Sequence, residues 1–129
     1  MTLLLDTHTL LWAVLSPKAL SKPVARLIAN AGNDLLVSAA SAWEIATKVR
    51  LGKLPGAEHF EQAFVPTILS AGYTLVPITP DDALRAGRLP GAHRDPFDRM
   101  LAAQAIGRDI PVLSSDERLD VFGVRRLWR

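Results

Sequence analysis

Short apolar runs, separated by stretches with helical spacing, limit this chain's fold more than any other feature. Thr2 to Leu5, Leu35 to Val37, Tyr73 to Val76 and Ile110 to Leu113 each have the length of a short strand, and Val124 to Leu127 is a candidate for a last one. Runs of this kind suit strands covered on both faces, which is the situation of a parallel sheet. The intervening segments carry the helices. Thr7 to Leu15 places Leu10, Leu11, Val14 and Leu15 at helical intervals, and Ser16-Pro17 stops it. Ser21 caps a second helix through about Ala31, before Gly32-Asn33. Others are predicted from about Ala40 to Leu51, from His59 to Ala71 with a bend or break at Pro66, from the Thr79 cap through Ala86, and from Pro96 to Ile106. On the last of these, Phe97, Met100, Leu101 and Ala105 are expected on the inner side. Lys53 to Gly56 and Gly87 to Arg94 are read as connections. Strands alternating with helices predict an α/β sandwich around a mostly parallel sheet.

Composition agrees with a single domain over residues 1–129. Of the 129 residues, 49% are hydrophobic and 22% charged, which is globular rather than disordered. There is no cysteine, so disulfides, thiolate metal ligands and cysteine nucleophiles are excluded. The longest uncharged stretch, nineteen residues from Gln62 to Pro80, is interrupted by Pro66, Gly72 and Pro77 and is a poor membrane span. Asp6 breaks the first apolar run and no basic region precedes it, so no signal peptide is expected. A cytoplasmic location and no membrane partner follow as expectations. The 15 basic residues exceed the 13 acidic ones by two, too weak an excess to identify a nucleic-acid binder.

The placement of the acids is more informative. In parallel α/β folds, chemistry gathers beyond the carboxyl ends of the strands. Asp6 follows the first strand, Asp116 follows the Ile110–Leu113 strand, Glu44 lies near the start of a helix after the second strand, and Asp95 and Asp98 open the Pro96 helix. Carboxylates converging on one crevice repel unless a cation or proton lies between them. Oxygen-only ligands suit Mg²⁺ or Mn²⁺, ions that assist in-line displacement at phosphodiesters.

Each acid also has a plainer role. Asp95 precedes Pro96 and reads first as a helix N-cap, while Asp98 suits either the capped first turn or a metal. Asp116 suits a turn as well as a site, and Glu44 an ordinary helix surface. Asp6, ending a buried strand, is the hardest to assign to structure alone. The three histidines are too scattered for a zinc site, although His8 can line the rim beside Asp6. No serine–histidine–acid arrangement and no phosphate-cradling glycine loop is present. Basic residues that can meet phosphates include Lys48, Arg94 and Arg99, with a solvated surface as the alternative for each.

The ordered segments LLLDTHTLLW, SAASAWEIATKVRLGKL, HRDPFDRMLAAQA and PVLSSDERL span residues 3 to 119. As a set they resemble the PIN-domain ribonucleases, and more narrowly the VapC-like toxins of type II toxin–antitoxin pairs. The resemblance implies a three-layer α/β/α fold. It also implies a metal-dependent endoribonuclease that hydrolyses RNA through a metal-activated water, leaving a 5′-phosphate and a 3′-hydroxyl. Asp6, Glu44, Asp98 and Asp116 would hold Mg²⁺ or Mn²⁺, with Thr7, Asp95 and Ser115 as supporting residues. A cognate antitoxin and a homodimer are the partners it implies, beside the RNA substrate. The alternatives are a non-catalytic PIN-like RNA- or protein-binding module and an RNA-processing nuclease that is not a toxin. A phosphoaspartyl phosphatase needs a second aspartate two positions after the first, where this chain has His8.

Overall fold

The computed structural model describes residues 1–129. Its centre is a five-stranded parallel sheet built from β1 (Thr2–Leu5), β2 (Asp34–Ser38), β3 (Thr74–Val76), β4 (Val112–Leu113) and β5 (Arg126–Leu127), in the order β3-β2-β1-β4-β5. The helices are α1 (Thr7–Leu15), α2 (Lys22–Ala29), α3 (Ala39–Arg50), α4 (Glu58–Gln62), α5 (Phe64–Ser70), α6 (Pro80–Arg88) and α7 (Pro96–Arg108). Short 3₁₀ helices cover Pro17–Ala19 and Glu117–Phe122. No helix is long and apolar enough to cross a membrane.

Side chains alternate across a strand, and here both alternating sets find cover. Leu3, Leu5, Leu35 and Val37 pack on one face with Leu10, Ile45, Phe64 and Ile68. Leu4, Leu36 and Val112 pack on the other with Leu101, Ala102 and Ala105 of α7 and with Leu119 and Phe122. Two cores, one on each side of the sheet, make this an α/β/α sandwich and explain why the strands read as continuous apolar runs.

Several boundaries differ from the sequence reading for local reasons. The His59–Ala71 helix is broken, but at Ala63 rather than at Pro66. Proline lacks the N–H that would bond to the carbonyl of Gln62, and its ring crowds that carbonyl, so the chain restarts as α5 with Pro66 in its first turn. α2 ends at Ala29 instead of Ala31, where Asn30 leaves the helix and its side chain takes the N–H of Gly32. α6 and α7 each run two residues further than expected, to Arg88 and Arg108. β4 and β5 are shorter than the segments from which they were expected. On α7 the fully buried side chains are Leu101 to Ala105, whereas Phe97 and Met100 lie only half-buried at its start.

α6 is fastened by a capping box: Thr79 Oγ1 accepts from the N–H of Asp82, and the Asp82 carboxylate accepts from the N–H of Thr79, both at 3.1 Å. The Gln104 amide donates to the same carboxylate at 3.2 Å, and Arg108 lies 3.7 Å away, so the box joins α6 to α7. Burial pushes the Asp82 carboxyl up, but the Thr79 and Gln104 hydrogen bonds and Arg108 outweigh it and hold the group below its usual 3.8. A depressed carboxyl contributes stability above its unfolded value and loses it as pH falls through the folded value. Asp82→Asn, which resembles the protonated form, is therefore expected to cost about 1 kcal/mol near neutrality. In urea titrations this gap should close as pH drops below 3.8; a gap constant with pH would contradict the assignment.

Candidate active site

The strand order changes direction beside β1, which has β2 on one side and β4 on the other. Such a switch point opens a crevice at the carboxyl ends of the strands, and the acids collect there. Register sets the pairing. Leu5 lies opposite Leu113, so the next residues of the two strands, Asp6 and Ser114, face each other.

Asp6 is buried and has both carboxylate oxygens engaged. Oδ1 accepts from the N–H of Thr9 at 2.7 Å and caps α1, while Oδ2 accepts from the Ser114 hydroxyl. Burial pushes its carboxyl above the usual range, against the pull of those hydrogen bonds. The Ser114 hydroxyl oxygen also accepts from the N–H of Asp116 at 3.0 Å, so one serine links the acids after β1 and β4.

Ser38 caps α3, the helix that carries Glu44. Glu44 is only 3% exposed, its Oε2 lies 2.5 Å from the Lys48 ammonium one turn on, and its Oε1 is buried with no hydrogen-bond partner. A buried carboxylate oxygen left without a donor is costly. Thr7 Oγ1 and Ser41 Oγ, 3.0 Å apart and buried, tie the start of α1 to α3 beside it.

Asp95 caps α7, its Oδ1 accepting from the N–H groups of Phe97 and Asp98 at 2.8 and 3.1 Å. Asp98, one turn inside, accepts from His93 Nε2 at 2.7 Å when that nitrogen carries the proton. Burial raises its carboxyl, the His93 hydrogen bond opposes this, and Asp95 and Glu44 raise it further. Asp116 caps the Glu117–Phe122 helix and is gripped by the Arg118 guanidinium, with Nε to Oδ1 at 3.0 Å and Nη2 to Oδ2 at 2.7 Å. That fork holds Asp116 below the usual range.

Asp6, Glu44, Asp98 and Asp116, the four acids singled out in sequence, thus share one small cavity of about 30 Å³ with Asp95, and no apolar side chain lines it. Thr7, His8, Lys48 and Arg118 complete the wall. No three carboxylates are already drawn together as a ligand set. Instead Ser114, Lys48, His93 and Arg118 each hold one acid. The donor set nevertheless fits a hard divalent cation: every carboxylate donor is an oxygen, and Glu44 Oε1 is buried without a partner.

Two of the supporting roles expected from sequence change. Ser115 is exposed, and it is Ser114 that holds Asp6. The signal was the strand register, which a linear reading lacks. Arg99 does not face phosphates; it donates to the carbonyls of Ala86, His93 and Leu89 and lies over the Phe122 ring, holding the loop ahead of α7. Lys48 lines the cavity already paired with Glu44. Arg94 is exposed. The partners missed from sequence, His93 and Arg118, are five residues before Asp98 and two after Asp116, a proximity that becomes meaningful only once the caps fold.

The family model of the PIN domain matches residues 3–124. The chain belongs to the PIN domain family. Within it the chain is VapC-like: it is 31% identical over 124 residues to Ribonuclease VapC22 of Mycobacterium tuberculosis, covering 92% of this chain and 89% of that protein. Of the solved structures that share this fold, two illustrate it. One is VapBC2 from Rickettsia felis bound to a DNA fragment from its promoter, at 17% identity and a TM-score of 0.71 over the whole of both chains. The other is Mycobacterium tuberculosis VapC20, a sarcin-ricin-loop-cleaving toxin, at 18% identity and a TM-score of 0.68 over 98% of this chain and 99% of that one. The acid cavity therefore lies in a VapC-like ribonuclease domain.

Proposed function

We propose that this chain, as one PIN domain over residues 1–129, is an endoribonuclease toxin that requires Mg²⁺ or Mn²⁺ and is restrained by a cognate antitoxin. The observation that carries the metal dependence is Glu44 Oε1, a buried carboxylate oxygen without a partner in a cavity walled by four further carboxylates. Asp6, Glu44, Asp98 and Asp116 would hold the cation. When bound, such an ion supplies a Lewis acid that makes water nucleophilic near neutral pH and offsets charge on the phosphate oxygens.

The chain's own residues do the rest. Ser114 fixes the direction of Asp6 and, through the N–H of Asp116, the spacing between those two acids. Asp95 supports the site through the α7 cap and leaves Asp98 at the first turn, turned toward His93. The Lys48 ammonium and the exposed Arg118 guanidinium are cations at the cavity mouth, and Arg94 adds a third beside the α7 cap. Once the carboxylates are neutralised, these groups are free to turn to the phosphates of an RNA strand, for which they are the natural counter-charges.

The antitoxin is inferred from kinship with VapC22 and from the VapBC2 complex of the shared fold, and a homodimer and a cytoplasmic site of action from the resemblance to VapC-like toxins. The test is cleavage of a panel of structured RNAs by the purified chain. Cutting should require Mn²⁺ or Mg²⁺, stop with EDTA, and return when excess Mn²⁺ is restored. Cleavage that persists unchanged in chelator overturns the metal requirement.

A further inference from the structure

Trp43 is 57% exposed although it sits in the middle of α3, immediately before buried Glu44. A single exposed apolar side chain needs no explanation, and what distinguishes Trp43 is a second ring packed on it beside the acid cavity. Its indole meets Phe97 edge-on, with ring centroids 4.8 Å apart and planes at 78°. Phe97 in turn immediately precedes Asp98. The two rings therefore form one platform whose halves each adjoin an acid of the cavity by a single residue. The edge-on contact braces the indole while leaving much of its surface open.

The surroundings indicate the occupant. On α3, residues at i and i+7 share a face, and Arg50, seven residues after Trp43, is exposed about 10 Å further along the axis. On the α7 side, Arg94 is exposed three residues before Phe97. An aromatic face flanked by cations beside an acidic centre suits single-stranded nucleic acid, whose bases stack while its phosphates pair with the arginines.

We propose that Trp43, braced by Phe97, stacks on a base of the RNA strand next to the phosphate held at the acid cavity. It thereby positions the strand and selects unpaired over double-helical substrate. The proposal rests on the RNA-cleaving reading of that cavity. Stacking tolerates any base, so the platform sets affinity and strand state rather than a sequence code.

The test uses the full chain with Asp6→Asn, a fluorescent twelve-nucleotide single-stranded RNA of mixed sequence, and the same strand with abasic nucleotides. Adding Trp43→Ala should weaken binding to the intact strand about 5- to 150-fold, and Trp43→Phe should restore most of it. Abasic nucleotides should weaken binding by the chain that retains Trp43 and leave the Trp43→Ala chain little changed. Equal affinity for the intact strand with and without the Trp43→Ala substitution overturns the platform. So does a loss of self-association in sedimentation without a loss of RNA affinity, which would make the surface a contact between copies. Cleavage of the structured-RNA panel by the chain that keeps Asp6 is read separately: its absence with Mn²⁺ present overturns the nuclease reading, whereas cleavage with a KM indifferent to Trp43 overturns the platform alone.

Discussion

Asp6→Asn is expected to abolish RNA cleavage and to leave the fold at least as stable. Asparagine keeps an oxygen that can accept from the N–H of Thr9, so the α1 cap survives. It also keeps a polar group facing the Ser114 hydroxyl. What disappears is the negative charge, which is costly to bury. The raised carboxyl of Asp6, with burial as its main cause, shows that the fold works against that charge rather than being held by it. Activity and stability should therefore part company, as they do where a site is built at the expense of the fold. Loss of an outer partner of a metal ligand typically costs about 10- to 100-fold, and that is the range expected for Ser114→Ala. Removing Asp6 itself should cost more than this. The checks are a cleavage assay and a thermal melt on the same preparation. Activity within tenfold of the native chain, or a substantially lower Tm, would count against Asp6 as a group kept for chemistry.

The second large effect lies in the core. Leu4 is 1% exposed on the central strand, flanked by Leu36 and Val112 in neighbouring strands and covered by α7. Leu4→Ala is expected to cost about 2–5 kcal/mol, toward the upper part of that range. The reason is the composition of the cover: Ala102 and Ala105 have no side chain long enough to refill the space. The midpoint of urea unfolding should fall while its slope is unchanged. A loss below about 1 kcal/mol would show that α7 can settle onto the sheet, contrary to the tight packing expected of such an interior.

Much of the architecture was legible because it rests on local rules. Leu3-Leu4-Leu5 and Leu35-Leu36-Val37 are apolar at every position, which only a strand covered on both faces requires. Asp95-Pro96 and Thr79-Pro80 mark helix starts through cap chemistry that depends on two to four neighbouring residues. The break near Pro66 was visible, but its position was not, because proline acts on the carbonyl four residues earlier. The 3₁₀ turn over Glu117–Phe122 was not visible either; it forms where Leu119 and Phe122 reach down to the core beside α7.

Asp6, Asp98 and Asp116 were legible too, as acids after a strand or in a first helical turn, and Glu44 as an acid on the helix after β2, although it lies in the middle of that helix. Their partners were not. Whether Ser114 or Ser115 serves Asp6 depends on the register between β1 and β4, strands separated by more than a hundred residues. Arg99 and Arg94 look alike in sequence, yet one is spent on three carbonyls and an aromatic ring while the other is exposed. By itself the chain's pattern determined the kind of fold, the strand ends at which chemistry can sit and the oxygen-only character of the donors. The tertiary structure alone decided which hydroxyl, imidazole and guanidinium meets each carboxylate, and that Glu44 is left with one oxygen unpartnered. Periodicity and caps act over a few residues, whereas these contacts are created by strand register and helix packing between distant segments.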